Sequence, residues 1–479
     1  GTSGVGGCHR PRQVFSSLAC AMAAMAARSE EEKIAVSILG GTGLVGRALA
    51  GHLLDHPLFK LGMVVGSSST AGKPFKDVWT AKELSLAKHY GEALWTAAPF
   101  PDGLTDVVIV AADDLVAAST EKHIVVSAIA PRLGHIEDSL QAAGFRVFSI
   151  SPHARTLKAN PLVVPEANAA MMLQTLAARP AGAPFPLVKS PNCVTCGISI
   201  VLKAIDDSFG LDSVAVTTFQ ALSGRGDAKY EPSLVVGNVY PLTGTTEKTD
   251  DYQRAELQRI FPKMRRCSVS AHRVPVQLGH FVDLKLNTRT RPADSESVYT
   301  ALESFAPLAA YDLPSRPRQT IVVSREPGRP RPRDDVWYEN GMAVAAGNIR
   351  TPRDGFFDIT LSVALNNVTR GAYGAALINA ELYELYFAAE LAVMDKGEAA
   401  VEAAGEAEAG PPRRLSDAVL RCQACSCRVL PEVGWCSNCG SDEVVKVEPD
   451  FRCCQCGSGV EPESQFCAAC GTDDVFCYN

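Results

Sequence analysis

Cys193 is the residue whose type and position offer the most reactive chemistry. It lies in the run P-N-C-V-T over residues 191–195, and an apolar helical stretch follows at once over residues 198–205. A thiol in the first turn of a helix faces the positive end of the helix dipole, which should lower its pKa and make it a nucleophile. The alternative is a small buried apolar side chain, which is the preferred interpretation of Cys196, one turn further on.

A glycine-rich loop about 150 residues upstream is the second chemical feature. Residues 40–46 read G-G-T-G-L-V-G, directly after an apolar run and directly before a helical pattern. Glycines let the backbone approach a pyrophosphate, and the helix N-terminus receives its charge. A structural turn is the alternative, but the strand, turn and helix context favours dinucleotide binding. The predicted cofactor contacts in this loop are Gly40, Thr42, Gly43, Leu44 and Val45.

The end of the second predicted strand bears on which dinucleotide binds. An NAD site usually carries Asp or Glu at this place. Here residues 67–73 read S-S-S-T-A-G-K. Hydroxyl groups and a lysine suit the 2′-phosphate of NADP, whereas a carboxylate would repel it; a solvated serine loop is the alternative. Ser67, Ser69 and Lys73 are therefore predicted to bind NADP.

Two further side chains suit a thiol nucleophile. His280 precedes an alternating strand pattern and is the best acid/base candidate among nine histidines, although an isolated histidine is usually structural. Arg273 has apolar neighbours, which favours burial against an anion over a surface position, and a guanidinium binds carboxylates in bidentate fashion. A nucleotide loop together with an activated thiol predicts an oxidoreductase that carries its substrate as a thioester.

Eleven of the sixteen cysteines lie after residue 421, in an internal repeat. Two C-x-x-C pairs, ten residues apart, recur with an offset of 31 residues. Such pairs are typical of tetrahedral zinc sites; disulfides are the alternative, which the intracellular character of the rest of the chain disfavours. The predicted ligands of two structural zinc ions are Cys422, Cys425, Cys436, Cys439, Cys453, Cys456, Cys467 and Cys470.

The elements that must position these residues follow an α/β pattern. Apolar runs at 34–39, 62–66, 107–112 and 124–128 alternate with helices, which predicts a Rossmann-type parallel sheet. Runs at 281–286 and 357–361 alternate apolar with polar residues, which predicts a mixed sheet with one wetter face in a second, α+β domain. A last helix is predicted from residue 371 to about 394.

The predicted organisation has five parts. Residues 1–32 are a disordered or targeting segment, residues 33–166 with 366–394 an NADP-binding domain, and residues 167–365 a catalytic and dimerisation domain. Residues 395–417 are an acidic linker and residues 418–479 a double zinc ribbon. Residues 1–28 have the arginine-rich, acid-free composition of an organellar transit peptide; translation from Met22 or Met25 is the alternative. The expected location is the cytoplasm, or a plastid if that segment is a transit peptide.

Together these motifs resemble the aspartate-semialdehyde dehydrogenases of archaea and fungi, over residues 33–392. Further likeness comes from Q-A-L-S-G at 220–224, R-V-P-V at 273–276, G-H at 279–280 and N-x-x-R-G-A from residue 367. The resemblance implies NADPH-dependent conversion of aspartyl phosphate to aspartate 4-semialdehyde, for lysine, threonine and methionine synthesis, by a homodimer or homotetramer. It implies catalytic roles for Cys193, His280 and Gln220, substrate contacts from Asn192, Glu247, Lys248 and Arg273, and cofactor contacts from Ser223, Gly224 and Asn367.

One departure from the family keeps alternatives open. The segment before Lys248 reads G-T-T-E-K, where the family usually has several glutamates in a row. A related acyl reductase, such as a malonyl-CoA reductase, is one alternative; a zinc-ribbon adaptor with a vestigial enzyme domain is another. The net charge of −7, and an excess of acidic over basic residues after residue 411, disfavour nucleic acid and favour a protein as partner of the tail.

Overall fold

The computed structural model describes residues 29–118, 123–180, 182–242 and 248–387, and the backbone of four short strands between residues 419 and 478. The chain divides into two compact units, Gly1–Asp395 and Lys396–Asn479, and each is considered by itself. None of the helices in the described part of the chain is long and apolar enough to cross a bilayer.

The first unit contains a parallel sheet whose strands are β1 (Ile34–Leu39), β2 (Phe59–Val65), β3 (Ile124–Ser127), β4 (Arg146–Ser149) and β5 (Val188–Lys189). The strand order is β2-β1-β3-β4-β5, and every neighbouring pair is parallel. Most strand residues are buried because helices cover the sheet, which is why the strands read as continuous apolar runs. The predicted parallel sheet is confirmed.

Helices of the first unit connect and cover the strands. They are α1 (Leu44–His52), α2 (Phe75–Tyr90), α3 (Ala112–Ala118), α4 (His135–Ala142), α5 (Pro165–Asn168), α6 (Ala170–Ala177), α7 (Cys193–Phe209), α8 (Pro232–Val235), α9 (Thr249–Ile260), α10 (Ser295–Glu303), α11 (Pro332–Asp335) and α12 (Gly374–Leu382). Helix α12 is flanked by the π-helical turns Thr369–Tyr373 and Tyr383–Phe387, so the described part of the predicted last helix is helical but irregular.

The strand predicted over residues 107–112 is wrong. This segment forms only two isolated bridges, Val110 with Val65 and Val108 with Pro74, and residue 112 already begins α3. Val108 is 52% exposed, so one face of the segment does not pack into the core. Its backbone groups bond instead to the end of β2 and to the loop before α2.

The first unit also contains a separate, seven-stranded mixed sheet. Its strands are β6 (Leu211–Gln220), β7 (Tyr240–Pro241), β8 (Arg266–Arg273), β9 (His280–Thr288), β10 (Ile321–Ser324), β11 (Val344–Arg350) and β12 (Ile359–Leu365), in the order β10-β11-β12-β9-β6-β8-β7. Residues of β6 and β9 alternate between buried and partly exposed, as predicted for a sheet with one wetter face. Helix α7 packs on the buried face.

The second unit contributes two strand pairs, β13 (Val419–Cys422) with β14 (Val444–Val447) and β15 (Phe451–Arg452) with β16 (Cys477–Tyr478), both antiparallel. The linker 395–417 and the predicted zinc ligands lie outside the described residues, apart from the backbone of Cys422. The part of the chain that the structure describes contains no cluster of three or more potential metal ligands. Zinc binding by the tail therefore stays a prediction.

Candidate active site

The candidate nucleophile is the first residue of α7. Asn192 caps this helix, and its side-chain oxygen accepts from the backbone N–H of Val194 at 2.9 Å. The same oxygen accepts from Gln253 Nε2 of α9 at 3.0 Å. Because Asn192 is held from two sides, the start of the helix is fixed and Cys193 faces the cleft.

Cys193 and His280 lie side by side, as the sequence predicted. The Cys193 Sγ is 3.2 Å from Nε2 of His280, the first residue of β9. Nδ1 of this ring accepts from the backbone N–H of Ala221 at 3.0 Å. A neutral imidazole carries only one proton, so that proton must be on Nε2. His280 therefore presents an N–H group, not a lone pair, to the sulfur.

The pKa of Cys193 is not lowered, and this prediction is wrong. Burial raises it from the ordinary value to about 11, and the nearby Arg273 charge and the Val194 N–H only reduce the increase. Removing the thiolate from water thus outweighs the favourable charges around the helix start. Burial, followed by the Arg273 charge, also holds the pKa of His280 well below its ordinary value. The resting pair at neutral pH is a thiol beside a neutral imidazole.

Arg273 lies at the end of β8, directly opposite Gln220 of β6. It is only 2% exposed, its Nε donates to the hydroxyl of Tyr230 at 3.0 Å, and its Nη1 donates to the carbonyl oxygen of Ala221 at 2.8 Å. The ring of Tyr230 also stacks near the guanidinium, whose carbon is 5.3 Å from the ring centre. The arrangement fixes a cation beside the Cys193–His280 pair.

A second arginine, which is not among the residues predicted from the sequence, lines the cleft around Cys193. Arg155 donates through Nη1 to Oε1 of Glu256 at 2.8 Å, and Oε2 of Glu256 accepts from the backbone N–H of Asn192 at 2.8 Å. The signal was available, because Arg155 follows the carboxyl end of parallel strand β4, where ligands of such sheets bind.

The π-helical turn after β12 closes the cleft on another side. Asn367 accepts from the backbone N–H of Gly279 at 2.9 Å and donates to the Ser223 hydroxyl at 3.0 Å. A Cβ on Gly371 would come within 2.9 Å of both the Cβ and the carbonyl oxygen of Cys193. Only glycine lets this turn approach the nucleophile so closely.

The glycine-rich loop has the backbone that a pyrophosphate site needs. Gly40 has a φ of +80°, and α1 begins at Leu44, directly after Gly43. A Cβ on Gly46 would be 2.5 Å from the carbonyl oxygen of Gly40, so the loop packs directly on its helix. Val45 lines the same cleft as Cys193, and buried Thr42 anchors Arg47 through its carbonyl oxygen.

The serine loop after β2 is open to solvent. Ser67, Ser69 and Lys73 are exposed, and the hydroxyls of Ser67 and Ser69 are 2.8 Å apart. Exposed hydroxyls and an ammonium group at the carboxyl end of the parallel sheet fit the donor set that a phosphate monoester requires.

Two predicted site residues do not line the cleft around Cys193, and a third lies outside the described residues. Gln220 is buried and donates to the hydroxyl of Thr218, and it is not among the residues that line the cleft around Cys193. Lys248 is exposed at the start of α9. Glu247 lies outside the described residues.

Comparison with known proteins identifies the family. The profile of the semialdehyde dehydrogenase NAD binding domain matches residues 35–175, and that of the dimerisation domain matches residues 202–370. The aspartate-semialdehyde dehydrogenase of Archaeoglobus fulgidus is 32% identical over 360 residues, which are 73% of this chain and 98% of the relative. That of Saccharomyces cerevisiae is 30% identical over 374 residues, 73% of this chain and 97% of the relative.

A solved structure gives the same result. The crystal structure of aspartate-semialdehyde dehydrogenase with NADP from Candida albicans superposes with a TM-score of 0.61 at 27% sequence identity, covering 74% of this chain and 99% of that one. The profile matches and the curated relatives agree with this likeness in fold. The chain therefore belongs to the aspartate-semialdehyde dehydrogenase family.

Proposed function

We propose that the protein reduces L-aspartyl 4-phosphate to L-aspartate 4-semialdehyde with NADPH, in the synthesis of lysine, threonine and methionine. The observation that carries the proposal is the 3.2 Å contact between Cys193 Sγ and His280 Nε2 in the cleft that Val45 of the dinucleotide loop also lines. A thiol is required because a thioester carbonyl accepts hydride more readily than an oxygen ester.

Cys193 acts first, as the nucleophile. Its sulfur attacks the acyl carbon of the substrate, the bond from that carbon to the phosphate oxygen breaks, and the thiol proton leaves with the phosphate. Because the phosphate takes the thiol proton, this step needs no basic nitrogen on His280, whose Nε2 already carries a proton. The N–H of His280 and the charge of Arg273 stabilise the sulfur as it gains negative character.

His280 acts next, through the N–H group of its Nε2. NADPH, when bound, supplies the hydride that reduces the thioester. Nε2–H of His280 donates a hydrogen bond to the negatively charged oxygen that forms. When the carbon–sulfur bond breaks, that oxygen becomes the carbonyl oxygen of the aldehyde, and the departing Cys193 thiolate takes up a proton from water.

Charged side chains of the cleft bind the ends of the substrate. Arg273, held by Tyr230 and Ala221, binds the α-carboxylate, with Asn192 beside it. Arg155, oriented by Glu256, is the cation in the cleft for the phosphate, and Lys248 and Glu247 contribute if their segment folds over the substrate. Gln220 contributes through the end of β6, next to Arg273.

The chain's own residues fit a dinucleotide with a 2′-phosphate. The backbone of Gly40, Thr42, Gly43 and Leu44 binds the pyrophosphate at the start of α1, and Ser67, Ser69 and Lys73 bind the 2′-phosphate. Ser223, Gly224 and Asn367 position the nicotinamide end beside Cys193.

The decisive assay measures phosphate-dependent oxidation of aspartate semialdehyde with NADP or NAD, against CoA-dependent oxidation of malonate semialdehyde. We expect turnover only with aspartate semialdehyde, phosphate and NADP. Cys193→Ser should bind NADPH normally and lose turnover by about 1000-fold or more. Turnover of malonate semialdehyde, or near-normal turnover of Cys193→Ser, would contradict the proposal.

We also propose that the enzyme is a homodimer or homotetramer that assembles through the outer face of the mixed sheet. The matching dimerisation-domain profile supports this proposal. So do the partly exposed rings of Phe219 and Phe281, which lie opposite each other on β6 and β9 with ring centres 6.0 Å apart. Light scattering of Phe219→Lys should show a smaller particle than the unchanged protein.

For the tail we propose two structural zinc ions held by the eight C-x-x-C cysteines, and a protein partner rather than a nucleic acid. Elemental analysis should give two zinc ions per full-length chain and none after deletion of residues 395–479.

We propose a cytoplasmic location, or a plastid one if residues 1–28 direct import. Microscopy of a fluorescent fusion with and without those residues distinguishes the two.

A further inference from the structure

A second thiol follows the nucleophile in the first turn of α7. Residues 193–196 read C-V-T-C, and both cysteines are free thiols. Cys193 lines the cleft, whereas Cys196 is completely buried directly behind it. The proposed reaction uses only Cys193, so the second thiol has no role in it.

The spacing of the two residues is compatible with a disulfide. Residues three apart in an α-helix have Cα atoms about 5 Å apart, inside the range of about 4.4–6.8 Å that disulfides span. Their Cβ atoms, about 5–6 Å apart in a helix, must approach by roughly 1–2 Å. Cys193 is the first residue of the helix and its own N–H has no partner within the helix, so the movement needed is confined to the first turn.

The surroundings of Cys196 contain a buried cation that offsets part of the effect of burial. Arg370 is completely buried and pairs with Glu166 through Nη2, while its Nε and Nη1 have no hydrogen-bond partner among the described residues. Burial raises the pKa of Cys196 to about 12, and the positive charge of Arg370 is the largest influence in the other direction. The charge of Arg370 can therefore stabilise negative charge that develops on this sulfur.

We propose that Cys193 and Cys196 are a redox-active dithiol, and that a peroxide converts them into a disulfide that reversibly switches the enzyme off. The Cys193 sulfur attacks one peroxide oxygen, the O–O bond breaks, one water leaves and the sulfur becomes a sulfenic acid. The Cys196 sulfur then attacks that sulfur, the S–O bond breaks, a second water leaves and the S–S bond forms. Each sulfur is oxidised by one electron and the peroxide is reduced by two. The loss of activity rests on the proposed role of Cys193; formation of the disulfide does not.

The test uses the full-length protein, hydrogen peroxide and trypsin. Cleavage after Lys189 and Lys203 places both cysteines in one peptide, residues 190–203, separate from the cysteines of the tail. After peroxide, this peptide should be lighter by two hydrogens, turnover should fall by more than about tenfold, and dithiothreitol should restore both.

The matched variant is Cys196→Ala, which leaves the proposed catalytic groups in place. Peroxide should still inactivate it, but dithiothreitol should not restore it, because Cys193 then proceeds to the sulfinic and sulfonic acids. Cys267→Ala, which removes a thiol on β8, should behave like the unchanged protein. The same irreversible oxidation of Cys193 with and without Cys196 would overturn the proposal. A disulfide that forms while turnover stays normal would contradict the role of Cys193 as nucleophile.

Discussion

Gly224 lies directly against Arg273. A Cβ placed on Gly224 would be 2.7 Å from Nη1 of Arg273 and 2.9 Å from Cε1 of His280. One backbone position therefore touches both the buried cation and the histidine that contacts Cys193. Any side chain here must displace the groups on which substrate binding and reduction depend.

Gly224→Ala should damage catalysis without unfolding the protein. The added methyl group meets the movable ends of two side chains, so Arg273 and His280 shift and the backbone stays. We expect KM for the semialdehyde to rise and kcat to fall, with about a 100-fold loss in kcat/KM. Gly51→Ala on α1 is the control, because its Cβ meets only an ordinary contact of 3.6 Å with Pro101. Equal kinetics in both variants would refute this packing argument.

Replacement of His280 tests the proton on Nε2. In His280→Gln the side-chain amide places an N–H donor near the position of Nε2, whereas His280→Ala removes the donor. We expect His280→Ala to lose about 100- to 10,000-fold in turnover and His280→Gln to lose less in the acylation step. Rapid-quench measurement of acyl-enzyme formation, compared with steady-state NADPH oxidation, separates the two steps. Equal acylation rates in both variants would show that the N–H group does not assist the thiol.

The raised pKa of Cys193 predicts a pH profile for alkylation. Only the thiolate reacts with iodoacetamide, and burial raises the thiol pKa to about 11. The rate should therefore rise about tenfold per pH unit from pH 7 to pH 9. Mass spectrometry of the peptide 190–203 follows it specifically. A rate that is level over this range would mean that Cys193 is already ionised at neutral pH, as the helix position alone suggested.

The serine loop predicts the cofactor preference. Ser67→Asp should place a carboxylate where the 2′-phosphate binds, so KM for NADPH should rise at least about tenfold while KM for NADH changes little. Ser139→Asp, an exposed serine on α4, is the matched control for added charge. Steady-state kinetics with each cofactor measure the two KM values. An equal rise in KM for NADPH and NADH would mean that the serines do not bind the 2′-phosphate.

Much of the scaffold could be predicted from the sequence because its signals are local. The apolar run Ile34–Leu39, the glycine loop and the start of α1 follow from burial and backbone geometry within some twenty residues. The false strand at 107–112 shows the limit of that reasoning. An apolar run indicates burial, but whether the segment pairs as a strand depends on neighbours that are distant in sequence.

The sequence predicted that Cys193 and His280 belong to the site, but it did not predict the pKa of Cys193. Cys193 and His280 are 87 residues apart, and their contact depends on the register of β6, β9 and α7. The helix dipole acts locally and favours a lowered pKa of Cys193, whereas burial by groups distant in sequence raises it. The position of Arg155 after the carboxyl end of β4 makes it a candidate, but only the folded chain brings it to Asn192 through Glu256.

A half-buried histidine outside the cleft predicts how stability depends on pH. His52, at the end of α1, packs between His56 and Tyr373, with ring centres 5.9 and 5.4 Å away. Burial, followed by the charge of His56, lowers the pKa of His52 to about 4, against the opposing effect of Asp55. Because the native pKa is below the unfolded one, the contribution of His52 to stability is complete above pH 6.5 and is lost as the pH falls toward 4.

His52→Gln should therefore weaken the acid destabilisation of the fold. The free energy of unfolding of the unchanged protein should fall between pH 7 and pH 4.5. In His52→Gln we expect this fall to be smaller by roughly 2 kcal/mol. Urea titrations at both pH values measure this difference. His135→Gln, an exposed histidine at the start of α4, should leave the acid dependence unchanged. If both variants follow the unchanged protein, His52 is already protonated in the native state, and the packing around α1 tolerates its charge.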